Sequence, residues 1–207
     1  MSDAFPSGFF DRADPSNDAM FYAEPRLVTH IDDGAIAAVG ALYAELGFAG
    51  TEVVDLMSSW VSHFRNDAAP RRLAVLGMNA QELAANPMAS AVVVHDLNAD
   101  PVLPFEDASF DHATCCVSVD YLTRPVEVFR DVARVLRPDG LFVVTFSNRL
   151  FPTKAIRGWF MTDSAGHCSL VTDYFSRAGG FGEATAELRT PLTTPGDPLY
   201  AVYARRA

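Results

Sequence analysis

Residues that could do chemistry cluster where the apolar runs of this sequence end. Asp55 and Asp96 each follow a run that contains consecutive valines, and Tyr121 follows a run that includes two cysteines. A carboxylate at such a point can accept hydrogen bonds from a ligand, and a tyrosine or aspartate can orient or deprotonate a nucleophile. The candidate segments are residues 55–60, 77–79, 96–98, 118–121 and 147–149.

An alternation of strand and helix patterns must position these segments. Short apolar runs predict strands at residues 51–57, 71–78, 90–97, 112–122 and 141–148. Helical spacing lies before and between these strands and after the last of them, at residues 29–47, 58–67, 79–87, 124–140 and 170–178. Thr29 or Asp32 is the candidate cap of the first of these helices, Ser58 or Ser59 that of the second, and Asn79 that of the third.

Strands that alternate with helices predict a mostly parallel sheet with helices on both faces, since such crossovers are right-handed. The final strand patterns, at residues 183–190 and 199–206, are too close for a helical connection and predict an antiparallel edge hairpin. The predicted fold is α/β, a Rossmann-like doubly wound, mostly parallel seven-stranded sheet. In such sheets the ligand binds outside the carboxyl ends of the strands. Residues 1–20 are expected to form an extended or mobile arm.

The composition limits the class of protein. A formal net charge of -10 argues against binding a nucleic-acid backbone, which requires a surface rich in Lys and Arg. No apolar run is long enough to span a bilayer, and the first twenty residues lack a signal-peptide pattern. The three cysteines suit a reduced, cytoplasmic protein. Neither they nor the histidines show metal-binding spacing, so no metal is expected.

Residues 95–148 resemble the second half of a class I S-adenosylmethionine-dependent methyltransferase of type 11. The family pattern runs from an acid through LPF-D-SFD and a fourth strand to E-x-x-RVLRPGG and a fifth strand. The matching positions are 103–105, 109–111, 134–138 and 140, in order and spacing. Asp131 stands where the family usually has Glu. The resemblance covers roughly residues 51–207. It implies a single methyltransferase-like domain over residues 21–207 that binds S-adenosyl-L-methionine.

This resemblance assigns the adenine of the cofactor to the end of the third strand. Asp96 matches the acid that accepts a hydrogen bond from the adenine amino group, and Leu97 matches the residue whose backbone faces the ring. Asn98 lies beside them, and Asp55 matches the acid at the end of the first strand. Asp96 could instead cap a turn.

The ribose end departs from the family pattern. The second strand ends in Gly77 instead of an acid, and Met78 and Asn79 follow it. Asn79 could form a hydrogen bond with a ribose hydroxyl, but it lacks the strength of a carboxylate. Alternatively, Asn79 only caps the helix that follows.

The loop after the first strand also differs from the glycine-rich loop of the family. Its positions hold Met57, Ser58, Ser59 and Trp60. None of these residues tolerates positive φ as glycine does, so a turn of different shape is expected. The serines could bind a carboxylate at a helix start, and Trp60 could cover the sulfonium. Alternatively, the serines are caps, and Trp60 and Phe64 are core residues.

Two further groups of residues are candidates for the chemistry. In many relatives an N-terminal aromatic residue folds over the cofactor, which makes Tyr22 a candidate. Ser118, Asp120 and Tyr121 end the fourth strand, where Ser118 could contact the cofactor and either Asp120 or Tyr121 could act on a nucleophile. His30 begins the first helix and could line the substrate mouth or be exposed.

After the fifth strand, Asn148, Arg149 and Lys154 could bind an anionic substrate. The cations could instead pair with the carboxylates of this acidic chain. The predicted activity is in-line methyl transfer to a small molecule that could be anionic. The protein is expected to be cytoplasmic and to be a monomer or a homodimer. The alternative is a catalytically silent methyltransferase-fold module that binds or regulates.

Overall fold

A seven-stranded sheet forms the centre of the computed structural model, which describes residues 5–191, 193 and 195–207. The strands are Glu52–Leu56 (β1), Arg72–Gly77 (β2), Ala91–Val94 (β3), Phe110–Cys116 (β4), Leu136–Phe146 (β5), Thr185–Leu188 (β6) and Tyr200–Arg205 (β7). Their order is β3-β2-β1-β4-β5-β7-β6, with β1 to β5 parallel and β7 antiparallel to both neighbours. The predicted fold and its edge hairpin are confirmed.

Helices cover both faces of the sheet because neighbouring strand residues point to opposite sides. The helices are Asp18–Phe21 (α1), Asp33–Glu45 (α2), Ala80–Ala85 (α3), Pro125–Val135 (α4) and Ser164–Ala178 (α5). Val53 packs into a core that includes Tyr43 of α2, whereas its neighbour Val54 packs into the core that includes Phe129 of α4 and Phe175 of α5. An apolar layer therefore packs on each face of the sheet. Because β1 to β5 are parallel, their carboxyl ends lie together at one edge, between these two layers.

Capping residues set the helix starts as the sequence suggested. Asp32 Oδ1 accepts a hydrogen bond from the N–H of Ala35 at the start of α2. The predicted helix over residues 124–140 ends earlier, at Val135, because β5 begins at Leu136 and pairs with β4.

The predicted helix over residues 58–67 is wrong. Ser58 and Ser62 direct their hydroxyls to Asp55 instead of capping a helix, and this segment has an extended path. Only a short 3-10 turn, Asn66–Ala68, is present there.

The N-terminal arm is packed against the domain from residue 5 onward. The N–H groups of Gly158 and Arg157 donate to the carbonyls of Phe9 and Asp11, at 2.8 and 2.7 Å. Phe10 contacts the ring of Tyr174 on α5. Backbone hydrogen bonds and aromatic contacts thus hold this arm, for which the sequence predicted only an extended or mobile segment.

Candidate active site

A cavity of about 280 Å³ opens at the carboxyl ends of β1 to β4. It brings together most of the residues singled out in the sequence. These are Tyr22, Asp55, Met57, Ser58, Ser59, Trp60, Gly77, Met78, Asn79, Asp96, Leu97, Asn98, Ser118, Tyr121 and Arg149. Asp120, Asn148 and Lys154 do not line it. The position agrees with the ligand site expected for an open parallel sheet.

Asp55, the next-to-last residue of β1, lies inside a ring of hydroxyl groups. Its Oδ2 accepts hydrogen bonds from Ser58 Oγ at 2.6 Å and Ser62 Oγ at 2.7 Å. Its Oδ1 accepts a hydrogen bond from Thr114 Oγ1 at 2.6 Å. Asn86 Nδ2 in turn donates to Ser62 Oγ at 2.8 Å. Burial raises the pKa of Asp55, and the three hydroxyl donors oppose this shift. These acceptor sites are therefore committed to holding the loop after β1.

This loop turns through left-handed backbone without a glycine. Met57 has a φ of 52° and His63 a φ of 54°, in the region that glycine favours. The expectation that no side chain here would adopt positive φ is wrong at Met57, because the Asp55 network fixes the residues that follow it. Val117, after β4, has a φ of 46° and also lines the cavity. Such conformations persist where packing enforces them, often at binding sites.

Gly77 ends β2 directly beneath the loop. The N–H of Ser58 donates to the carbonyl of Leu76 at 2.8 Å, which lays the loop across the end of the strand. A Cβ at residue 77 would lie 2.2 Å from the Ser58 carbonyl oxygen. The loop path therefore leaves no space for an acidic side chain at the end of β2. The absent glycine loop and the absent strand-end acid are two aspects of one structural change.

Asn79 caps α3 and anchors the chain that precedes α2. Its Oδ1 accepts hydrogen bonds from the N–H groups of Gln81 and Glu82, at 2.9 and 3.1 Å. Its Nδ2 donates to the carbonyls of Tyr22 and Ala23, at 2.9 and 3.1 Å. The capping interpretation is confirmed, and these four contacts engage both polar atoms of the side chain.

The end of β3 offers a carboxylate beside a buried apolar residue. Asp96 Oδ1 accepts hydrogen bonds from the N–H groups of Asn98 and Ala99, at 2.9 and 3.3 Å, so this oxygen caps a turn. Within the described ranges, no hydrogen bond reaches Asp96 Oδ2. Leu97 is buried next to it. Asn98 Nδ2 donates to the Tyr121 carbonyl at 3.0 Å, which ties this turn to the residues after β4.

The segment between α1 and α2 covers one side of the cavity. Trp60 Nε1 donates to the Val28 carbonyl at 3.1 Å. The N–H of Arg26 donates to Glu82 Oε1 at 2.6 Å, and Ser59 Oγ donates to Glu82 Oε2 at 2.6 Å. The residues that stand in place of the glycines thus help to hold this segment over the pocket.

Aromatic rings gather around Phe151 at the mouth of the cavity. Its ring centre lies 5.4 Å from that of Phe21, 5.2 Å from that of His30 and 5.8 Å from that of Tyr121. The guanidinium carbon of Arg26 lies 5.4 Å from the same ring centre. This arrangement places a mostly apolar wall, with a few polar atoms, where a ligand would enter.

Tyr121 and His30 carry polar atoms in this wall. The Tyr121 hydroxyl accepts a hydrogen bond from the N–H of Phe151 at 2.8 Å. Burial raises the pKa of Tyr121, so its phenol keeps its proton at neutral pH and can donate a hydrogen bond. Desolvation lowers the pKa of His30, which favours a neutral imidazole able to take up a proton.

Ser118 closes the floor at the end of β4. It is 7 % exposed, and its Oγ donates to the Cys116 carbonyl at 3.1 Å. Cys116 belongs to the cavity lining as well. The hydroxyl of Ser118 is thus positioned by the strand end.

Asp120, predicted as a catalytic residue, lies outside the cavity. Its side chain is buried, and its Oδ2 has no hydrogen-bond partner among the described residues. Burial raises the pKa of Asp120 to about 8. The Asp120 carbonyl accepts a hydrogen bond from the N–H of Ile156 at 2.9 Å, so this residue fastens the segment after β5.

Lys154 is completely buried and cannot meet a substrate from the cavity. Its Nζ lies 3.1 Å from Asp14 Oδ2 and 3.1 Å from Asp18 Oδ1, and it donates to the Ser16 carbonyl at 2.9 Å. The prediction of a substrate contact is therefore wrong, because the arm folds back and pairs with this lysine. The alternative, that the cations pair with the chain's own carboxylates, is correct here.

Arg149 and Asn148 have different positions after β5. Arg149 lines the cavity with a side chain that is 62 % exposed, and its Nε donates to Asp197 Oδ1 at 2.8 Å. Asn148 is exposed and accepts a hydrogen bond from Ser147 Oγ at 3.2 Å. Of the two, only Arg149 can meet a ligand in the cavity.

Some lining residues carried no sequence signal. Arg26, His63, Glu82 and Phe151 all line the cavity, yet none follows an apolar strand directly or belongs to a motif. Their positions depend on contacts between distant segments, such as those of Glu82 with Ser59 and Arg26. The spacing of apolar residues in the sequence does not predict such contacts.

Comparisons with known proteins agree with this fold. Residues 43–144 match the family model described as a methyltransferase domain. No curated protein matches the chain. No helix among the described residues is long and apolar enough to cross a membrane.

Several solved structures share the fold at low sequence identity. An S-adenosylmethionine-dependent methyltransferase from Mesorhizobium loti is 17% identical, with a TM-score of 0.56, over 82% of this chain and 98% of that one. A possible histamine N-methyltransferase from Thermotoga maritima is 13% identical, with a TM-score of 0.60, over 84% and 90%. The [4+2]-cyclase SpnF is 16% identical, with a TM-score of 0.59, over 92% and 91%. Residues 43–144 thus match a methyltransferase domain, and the chain shares the Rossmann-like α/β fold of these solved structures.

Proposed function

We propose that this protein is an S-adenosylmethionine-dependent methyltransferase that acts on a small molecule. The observation that carries the proposal is the open acceptor Asp96 Oδ2, beside buried Leu97, in a cavity at the strand ends. A carboxylate oxygen beside an apolar wall suits an exocyclic amine on a flat ring. The family match supports the same cofactor.

The residues present fit the adenine end of S-adenosylmethionine. Asp96 would accept from the adenine amino group, and Leu97 would pack against the ring. When bound, the cofactor would supply an electrophilic methyl group for in-line transfer to an oxygen, nitrogen or sulfur nucleophile. Tyr22 and Trp60 would shield the site from water, which strengthens the electrostatic interactions inside it. The hydroxyls of Ser58 and Ser59 donate hydrogen bonds to Asp55 and Glu82, so the main role of these side chains is to stabilise the loop after β1.

Acceptor-side residues would orient the nucleophile. Tyr121 would donate a hydrogen bond from its phenol, and the neutral imidazole of His30 would accept the proton that the nucleophile loses. Arg149 pairs with Asp197 through Nε, and its largely exposed guanidinium would attract an anionic group of the substrate. A small anionic acceptor molecule is the substrate class that this arrangement favours.

Replacing Asp96 with asparagine is expected to weaken binding of S-adenosylhomocysteine by roughly 10- to 150-fold, the range for a lost hydrogen bond to a charged acceptor. Asparagine can keep the turn through its oxygen while presenting an amide N–H₂ group to the adenine amine. Calorimetric titration measures the change, with Asp67→Asn, on an exposed turn, as the matched control. Failure of the wild-type protein to bind this ligand or S-adenosylmethionine at millimolar concentration would contradict the proposed function.

A second candidate is a catalytically silent module that binds the cofactor without methyl transfer. The contact between the Ser58 carbonyl and Gly77 favours it, since this contact removes the strand-end acid from the site. Tight binding of S-adenosylmethionine, with no methylated product from any anionic metabolite tested, would favour this candidate over the enzyme.

A further inference from the structure

Four carboxylates line the cavity in the described part of the chain, and three of them are already committed. Asp55 accepts three hydroxyl hydrogen bonds. Asp18 is 5 % exposed, pairs with Arg12 at 2.7 Å and lies 3.1 Å from Lys154 Nζ. Asp96 is assigned above to the adenine. Glu82 is the carboxylate that remains.

Glu82 lies in the first turn of α3 and is held from two sides. Its Oε1 accepts one hydrogen bond from the N–H of Arg26, and its Oε2 accepts one from Ser59 Oγ, both at 2.6 Å. A carboxylate has about four acceptor sites, so each oxygen can take a second donor. The side chain is half-buried, which leaves it accessible from the cavity. The two anchors fix its orientation before any ligand arrives.

Its neighbours at the end of β2 cannot supply an acceptor. The Ser58 carbonyl occupies the space of a Cβ at Gly77, and the polar atoms of Asn79 are engaged in capping and in holding Tyr22. Glu82 follows Gly77 and Asn79 in the chain and accepts a hydrogen bond from Ser59. Ser59 is the neighbour of Ser58, whose carbonyl packs against Gly77. Its carboxylate is therefore next to the place from which the strand-end acid is excluded.

We propose that Glu82 accepts hydrogen bonds from the ribose hydroxyls of the cofactor, in place of an acid at the end of β2. This inference rests on the proposed function. A vicinal diol presents two O–H donors, and a carboxylate with two oxygens of fixed orientation matches them by charge-assisted hydrogen bonds. The same replacement loop that excludes an acid at residue 77 positions Glu82 through the Ser59 hydroxyl.

The test compares ligands that differ only in the ribose. Adenosine, 2′,3′-dideoxyadenosine and S-adenosylhomocysteine are titrated calorimetrically into the wild-type protein, Glu82→Gln and the control Glu127→Gln, an exposed glutamate on α4. We expect the wild type and the control to prefer adenosine over the dideoxy compound by roughly 10- to 150-fold. In Glu82→Gln that preference should fall below about threefold, while binding of the dideoxy compound stays unchanged.

Three other results would contradict either this inference or the proposed function. If Glu82→Gln keeps the full preference for adenosine, the inference is wrong although the proposed function stands. If Glu82→Gln weakens S-adenosylhomocysteine but not adenosine, Glu82 contacts the amino acid part, which also overturns the inference. If the wild type binds none of the three ligands, the proposed function itself fails. Melting curves of each variant separate loss of binding from loss of folding. If Glu82→Gln proves unstable, Glu82→Asp is tested in its place; because it keeps the charge, it should retain part of the preference for adenosine.

Discussion

Replacing Gly77 with alanine is expected to lower the free energy of unfolding by about 3 kcal/mol, at the upper end of the usual cost of overpacking. The added Cβ would lie 2.2 Å from the Ser58 carbonyl oxygen, a distance that forces backbone to move. That movement would strain the hydrogen bonds from Ser58 and Ser62 to the buried Asp55. Urea denaturation measures the difference.

Gly182→Ala is the matched control, because a Cβ there would have its nearest neighbour at 3.9 Å. Gly77→Asp, which would introduce the acid usual in the family, is expected to destabilise the protein at least as much as alanine does. A Gly77→Ala protein as stable as the control would show that the loop does not lie on the end of β2.

Replacing Asp120 with asparagine is expected to change how stability depends on pH. Burial raises the pKa of Asp120 to about 8 from an ordinary value of 3.8, so the folded state favours the protonated acid. Its contribution to stability is therefore fully present below about pH 4 and is lost as the pH rises through about 8. Within that window the loss approaches about 1.4 kcal/mol per pH unit.

Asparagine resembles the protonated acid and does not titrate, so Asp120→Asn should gain on the wild type by about 1 kcal/mol per pH unit between pH 5 and 8. Asp55, whose pKa is also raised, contributes in the same direction in both proteins and cancels in the comparison. Denaturant titrations at several pH values measure this difference. Parallel stability curves for the two proteins would mean that Asp120 is not a buried neutral acid.

Much of the fold followed from the sequence because its signals are local. Alternating apolar runs and helical spacing predict the seven strands and the edge hairpin, and Asp32 and Asn79 cap helices where the pattern placed them. Asp96 and Leu97, which the family resemblance assigned to the adenine, lie in the cavity as expected for residues at the end of an easily identified strand.

The remaining parts of the site depend on contacts between distant side chains. Ser58 was predicted to cap a helix, but its hydroxyl donates a hydrogen bond to Asp55, and the loop has an extended path. Lys154 looked like a substrate contact, yet the arm buries it against Asp14 and Asp18. Glu82 had no signal, since its role depends on where this loop and arm lie. Periodicity reports which face of an element is apolar but not which polar groups meet across the fold.

A crystal structure of the protein with S-adenosylhomocysteine would test the central claim most directly. The prediction is that the adenine amino nitrogen lies about 2.9 Å from Asp96 Oδ2, with the Ser58 carbonyl still packed against Gly77. A ligand bound away from Asp96, or a loop that leaves Gly77 to form a family-type cradle, would contradict it.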